Sequence, residues 1–155
     1  MDALAALVGR TEDIEYRQLA AVDAAGGSAS YSGELALGEA AGACAAGAAA
    51  AGNLLADRGV PAAMLAAFGG RDGESLGDRL IAALRAGLDA GGEISPVRSA
   101  GMVIAGSVPW PVTDLRVDWH DDPVGQLAGL WRIWQPQAES YVQRALRPAE
   151  TAGSS

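Results

Sequence analysis

Apolar and polar positions change their period several times along the chain, and each change marks an element. Leu4, Ala5, Leu7 and Val8 share one helical face, so Asp2 to Val8 reads as the tail of a helix. From Tyr16 the period shortens. Arg17 to Asp23 is a strand by composition, Ala24 to Gly27 is a turn, and Ser28 to Ser32 alternates back, which predicts a β-hairpin. Gly38 to Gly47 is too small and flexible to assign, and Ala48 to Leu55 is expected to be another strand.

Two helices follow. Pro61 suits the first turn of a helix over Pro61 to Phe68, which Gly69-Gly70 stops. Ser75 caps the next, whose Leu76, Leu80, Leu84 and Leu88 recur at steps of four with Ile81 alongside, a stripe made for packing on a sheet. Gly91-Gly92 closes it. Ser99 to Ala105 and Leu115 to Trp119 are strand-like and joined through Pro109-Trp110-Pro111. The last helix carries Val124, Leu127, Leu130, Trp131 and Trp134 on one side. Pro136 removes a backbone donor, so a break is expected near Gln135, with a second helical piece through Tyr141 to Leu146. This order predicts an α+β layer protein with a largely antiparallel sheet.

Composition narrows the function. At 155 residues the chain suits one domain, residues 1–147, followed by a disordered tail over 148–155. The net charge is -8 and all 11 basic residues are Arg, so there is no basic footprint for nucleic acid. Gly38 to Leu55 is built from Ala and Gly and is a poor membrane span, and the start of the chain lacks the pattern of a signal peptide. The single Cys44 makes no internal disulfide, which fits a reducing cytoplasm. No cofactor motif is visible. Gly47 to Gly52 has the spacing of a phosphate loop, but Asn53 stands where Lys is needed.

The densest chemistry lies in Asp114 to Pro123, which holds the only histidine. Asp118 and His120 are two apart, so on a strand they share a face, where a carboxylate can orient an imidazole as a general base. The competing account is a salt-bridged strand end feeding a helix, with Asp121 or Asp122 as N-cap. Metal binding by Asp118, His120 and Asp122 is a weaker alternative, because no second His or Cys lies nearby, and no metal is expected. Asn53 at a strand end has the amide to support an oxyanion or to serve a turn. Arg98 and Ser99 are candidates for holding an anionic ligand, against a simpler role for Arg98 in pairing Glu93. Arg17 and Arg116 are expected to pair with Asp23 or Asp114 across the sheet. Trp119, Trp131 and Trp134 are core or dimer anchors, and a symmetric homodimer is expected to bury the last helix and an open sheet edge.

Tyr16-Arg17-Gln18-Leu19 with Asp23-Ala24 and Gly26, then Gly52-Asn53-Leu54-Leu55, Pro96 to Gly101 and Asp114 to Pro123, in that order, resemble the bacterial domain-of-unknown-function 1028 family. That family is similar in fold to the N-terminal-nucleophile (Ntn) hydrolases, an αββα sandwich. The resemblance runs from Ala3 to about Leu146 and implies hydrolysis of a small-molecule amide. It also implies an N-terminally truncated domain, because family members carry strands and a helix ahead of the position of Met1. An Ntn nucleophile is a first Thr, Ser or Cys; here Asp2 follows Met1, so the expected nucleophile is absent from the chain. A truncated product, a misassigned start and a fragment are the three accounts of that gap. A binding or structural module without catalysis is the rival expectation.

Overall fold

The computed structural model describes residues 2–71 and 73–151, and they form mixed helix and antiparallel hairpin structure. By its internal contacts the chain divides into two compact units, one through Val97 and one from Arg98 onward.

The first unit opens with α1 (Asp2–Val8) and a 3-10 turn over Ile14–Tyr16. Strands β1 (Gln18–Val22) and β2 (Ser28–Ser32) then pair antiparallel, with Gln18 opposite Ser32 and Val22 opposite Ser28. Their turn is built by Asp23, whose carboxylate accepts from the N–H groups of Ala25 at 2.9 Å and Gly27 at 2.8 Å, with Gly26 at φ 83. Strands β3 (Ala41–Ala45) and β4 (Ala48–Gly52) make a second hairpin around Ala46-Gly47. The unassigned Gly38 to Gly47 stretch therefore contains a strand. Ala and Gly are poor strand formers by propensity, and here their smallness is what the packing uses. A Cβ at Gly42 would come within 2.5 Å of Ser30 Oγ, and helix α2 (Val60–Gly69) packs on β3 and β4, in which Ala50 is buried.

Gln18 ties the two hairpins together. Its side-chain amide donates to Ser32 Oγ at 2.8 Å and reaches across to the carbonyls of Gly52 at 2.9 Å and Ala41 at 3.2 Å. Ser28 Oγ adds a bond to the Ala45 carbonyl at 2.7 Å.

Helices α2 (Val60–Gly69) and α3 (Leu76–Asp89) pack along each other. Ser75 caps α3 as expected, its Oγ accepting from Asp78 N–H at 3.2 Å. The buried face of α3 is not the leucine row. It runs through Gly77, Ile81, Ala83 and Gly87, while Leu76 and Leu88 are exposed. Small residues win the contact because they admit α2 closely: a Cβ at Gly87 would meet Met64 Cγ at 3.0 Å. Gly91 and Gly92, at φ 117 and 59, end the helix, and Gly92 N–H returns to the Gly87 carbonyl at 2.9 Å. Strand β4 stops at Gly52 and not at Leu55; Leu55 instead bridges Glu93 and is buried.

The second unit is a hairpin covered by a broken helix. Strands β5 (Ala100–Ala105) and β6 (Pro111–Val117) pair antiparallel with an irregularity between Ile104 and Ala105. Met102 and Thr113 point inward and are buried; Val103, Asp114 and Arg116 face out. Helix α4 (Pro123–Trp134) lays Val124, Leu127, Ala128 and Trp131 on the inner face. The expected break follows Trp134, and α5 (Ala138–Leu146) resumes beyond Pro136. Trp134 donates its indole N–H to Thr113 Oγ1 at 3.1 Å and Val112 O at 3.2 Å, and stacks on Tyr141 at 5.1 Å between ring centres. A four-residue helix α6 (Pro148–Thr151) follows; residues 152–155 of the expected disordered tail lie outside the described residues. Among the described residues no helix is long and apolar enough to cross a membrane.

Candidate functional site

The richest run of chemistry forms the junction between β6 and α4. Strand β6 ends at Val117, so Asp118 and His120 lie beyond it and the shared-face argument for them does not hold. Asp118 turns to Arg116, with Nε to Oδ1 at 3.6 Å, and not to the imidazole. Arg116 accordingly pairs with Asp118 and not with Asp114. His120 Nδ1 accepts the backbone N–H of Asp122 at 2.9 Å, and His120 N–H donates to the Arg98 carbonyl at 2.8 Å. Asp122 is the N-cap of α4, its Oδ1 accepting from Gly125 N–H at 2.9 Å, with Pro123 in the first turn where its missing N–H costs nothing. The cap is the junction's main structural device.

Arg98, expected to pair with Glu93 or to hold an anion, closes the junction instead. Its guanidinium pairs with the Asp121 carboxylate and lies 5.7 Å from the ring centre of Trp119. Together with its carbonyl bond to His120, this holds three consecutive residues from one side chain and its backbone. Ser99 beside it is exposed. Trp119 is 76% exposed, unlike the buried Trp131. A tryptophan set among Asp118, His120, Asp121 and Asp122 was the signal for that exposure, since no apolar neighbour in sequence offers it a pocket.

Asn53 belongs to the first unit. Its amide donates to the Leu37 carbonyl at 3.2 Å, and the neighbouring Leu54, at φ 53, donates its N–H to the same carbonyl at 3.1 Å. The amide that suited an oxyanion is thus used to hold a loop. Cys44 is exposed, 3.6 Å from Ser30 Oγ. Arg17 makes no ion pair among the described residues, whereas Arg58 pairs with Glu39 and Arg71 with Glu74. No three His, Cys, Asp or Glu side chains among the described residues converge as metal ligands.

The arrangement brings Arg98, Trp119, His120, Asp121 and Asp122 together and leaves Asn53 in a separate unit. It offers a cation, an exposed aromatic face and an imidazole edge, with the exposed Ser99 next to Arg98 in the chain.

Three comparisons with known proteins bear on this. Residues 1–127 match the model of a family of unknown function, DUF1028. The crystal structure of protein SPO2555 from Silicibacter pomeroyi, assigned to that same family, superposes with a TM-score of 0.75 at 34% identity, covering 84% of this chain and 56% of that one. The chain therefore spans little more than half the length of that relative. No curated protein matches it.

Proposed function

Starting from the fact that this chain belongs to the DUF1028 family, we propose that its residues form a binding or structural module without a catalytic centre of their own. The observation behind this is the use already made of each candidate group. Asp118 is paired with Arg116, His120 Nδ1 is taken by Asp122 N–H, and the Asn53 amide is taken by the Leu37 carbonyl. A general base needs a free nitrogen in reach of the proton it removes, and a bond to the protein's own backbone occupies the one nitrogen that the neutral ring offers.

Amide-bond hydrolysis of a small molecule is the second reading. It belongs to a longer polypeptide that carries this stretch, in an Ntn-like αββα fold, and it rests on the family resemblance. The 56% coverage of the solved relative leaves room for a nucleophile supplied outside the matched part. Fold analogy is a weak warrant for chemistry. A symmetric dimer through the tryptophan-bearing α4 accompanies the module reading, and light scattering at twice the chain's 15.6 kDa would support it.

The test is ammonia release from small amides, measured on the purified chain and on H120A and N53A variants. No variant-sensitive turnover is expected. Turnover that H120A or N53A abolishes would overturn the module reading and return these residues to a catalytic role.

A further inference from the structure

One hydrogen bond at the start of α4 exists in a single protonation state. Asp122 N–H donates to His120 Nδ1 at 2.9 Å, and an imidazole nitrogen accepts only while it carries no proton. The same Asp122 caps α4 through its carboxylate on Gly125 N–H at 2.9 Å. The ring of His120 thus orients the residue that satisfies the helix's first donors.

We propose that His120 is a pH-sensitive latch on the N-terminal cap of α4. In the neutral ring, Nδ1 holds the Asp122 amide and sets the capping geometry. In the imidazolium both ring nitrogens are donors, the Asp122 amide loses its acceptor, and the cap loosens together with the 118–122 loop that carries the exposed Trp119. The bond is present while the ring is neutral and is lost when Nδ1 takes a proton, which places the effect on the acid side.

The charged groups around the ring come from three segments. Asp118 beyond β6 is paired with Arg116, Asp121 is paired with Arg98 ahead of β5, and Asp122 is occupied by Gly125 N–H; α4 has no acidic residue in its first turn. Asp114 lies on the outward face of β6. None of these carboxylates bonds the ring in the neutral arrangement. The Asp122 carboxylate keeps its own bond to Gly125 N–H when the ring lets go, so the expected change is a local release and not loss of the fold.

The proposal does not depend on whether the chain is catalytic, and its test reads no activity. On the isotope-labelled full chain, long-range proton–nitrogen spectra at pH 8 are expected to show His120 with Nδ1 unprotonated. Exchange protection of the Asp122 and Gly125 amides, corrected for intrinsic rate, is expected to fall several-fold between pH 8 and pH 5. His120→Asn keeps an acceptor oxygen in place of Nδ1 without titrating and is expected to hold protection level across that range. A proton on Nδ1 at pH 8, protection unchanged with pH in the natural chain, or the same fall in H120N would each overturn the latch. The first two measurements need no variant.

Discussion

Thr113 is the only fully buried polar side chain in the core of the hairpin unit among the described residues, and Trp134 explains its tolerance there. A buried hydroxyl without a partner is costly, whereas one that accepts an indole N–H at 3.1 Å is satisfied. Thr113→Val removes that acceptor but leaves the Val112 carbonyl at 3.2 Å, so chemical denaturation is expected to show a loss of about 1 kcal/mol. Leu127 has no exposed surface and lies on the face of α4 that packs on β5 and β6. Leu127→Ala should cost about 2 to 5 kcal/mol, since the surroundings cannot fully collapse into the space; a loss below T113V would contradict this packing. Gly33 is the tightest backbone position. A Cβ there would stand 2.1 Å from the Glu15 carbonyl oxygen, so G33A is expected to lower the melting temperature more than the neutral change at Gly69, where nothing lies within 4 Å.

At the scale of elements, the helix ends were legible and the buried face of α3 was not. Ser75 was readable as a cap, and Asp121 or Asp122 as the cap of α4, because capping depends on residues within one turn; Ser75 and Asp122 each accept the N–H three residues on. Replacing Ser75 with Ala is expected to lose about 1 kcal/mol in equilibrium unfolding. The leucine stripe of α3 misled because period alone marks an apolar side without saying which arc of it meets a partner. Gly87, invisible to hydrophobicity, sits at the crossing with α2, against Met64 and Val60. Strand β3 was illegible for a related reason: an Ala-Gly run carries no alternation, and its place is decided by Ser30 and Gln18 on the other hairpin. The same limit applies to the candidate site. Asp118 and His120 were close in sequence, yet where the strand ends decides whether they share a face, and it ends at Val117, before either of them.

For the whole molecule, charge sets behaviour more than it sets fold. The net charge of -8 and a pI near 4.5 predict a solubility minimum close to pH 4.5, read as turbidity against pH. Clear solutions through that pH would indicate that surface patterning, not net charge, keeps the molecules apart. Exposed Val103, Trp119 and Ile133 sharpen this expectation, because loss of repulsion leaves apolar surface free to associate.

The sequence by itself determined what neighbours a few residues apart can settle. The hairpin of β1 and β2, the caps at Ser75 and Asp122, the stop at Gly91-Gly92 and the break before Pro136 all follow from local backbone donors, acceptors and permitted φ values. The family was also in the motifs. Only the tertiary structure decided which arc of α3 is buried, that Ala41–Ala45 is a strand, that Arg98 serves Asp121 and Trp119, and that His120 turns to the backbone of Asp122 in place of Asp118. Each of these is a choice among partners, and the competing partners lie on segments that only folding brings together.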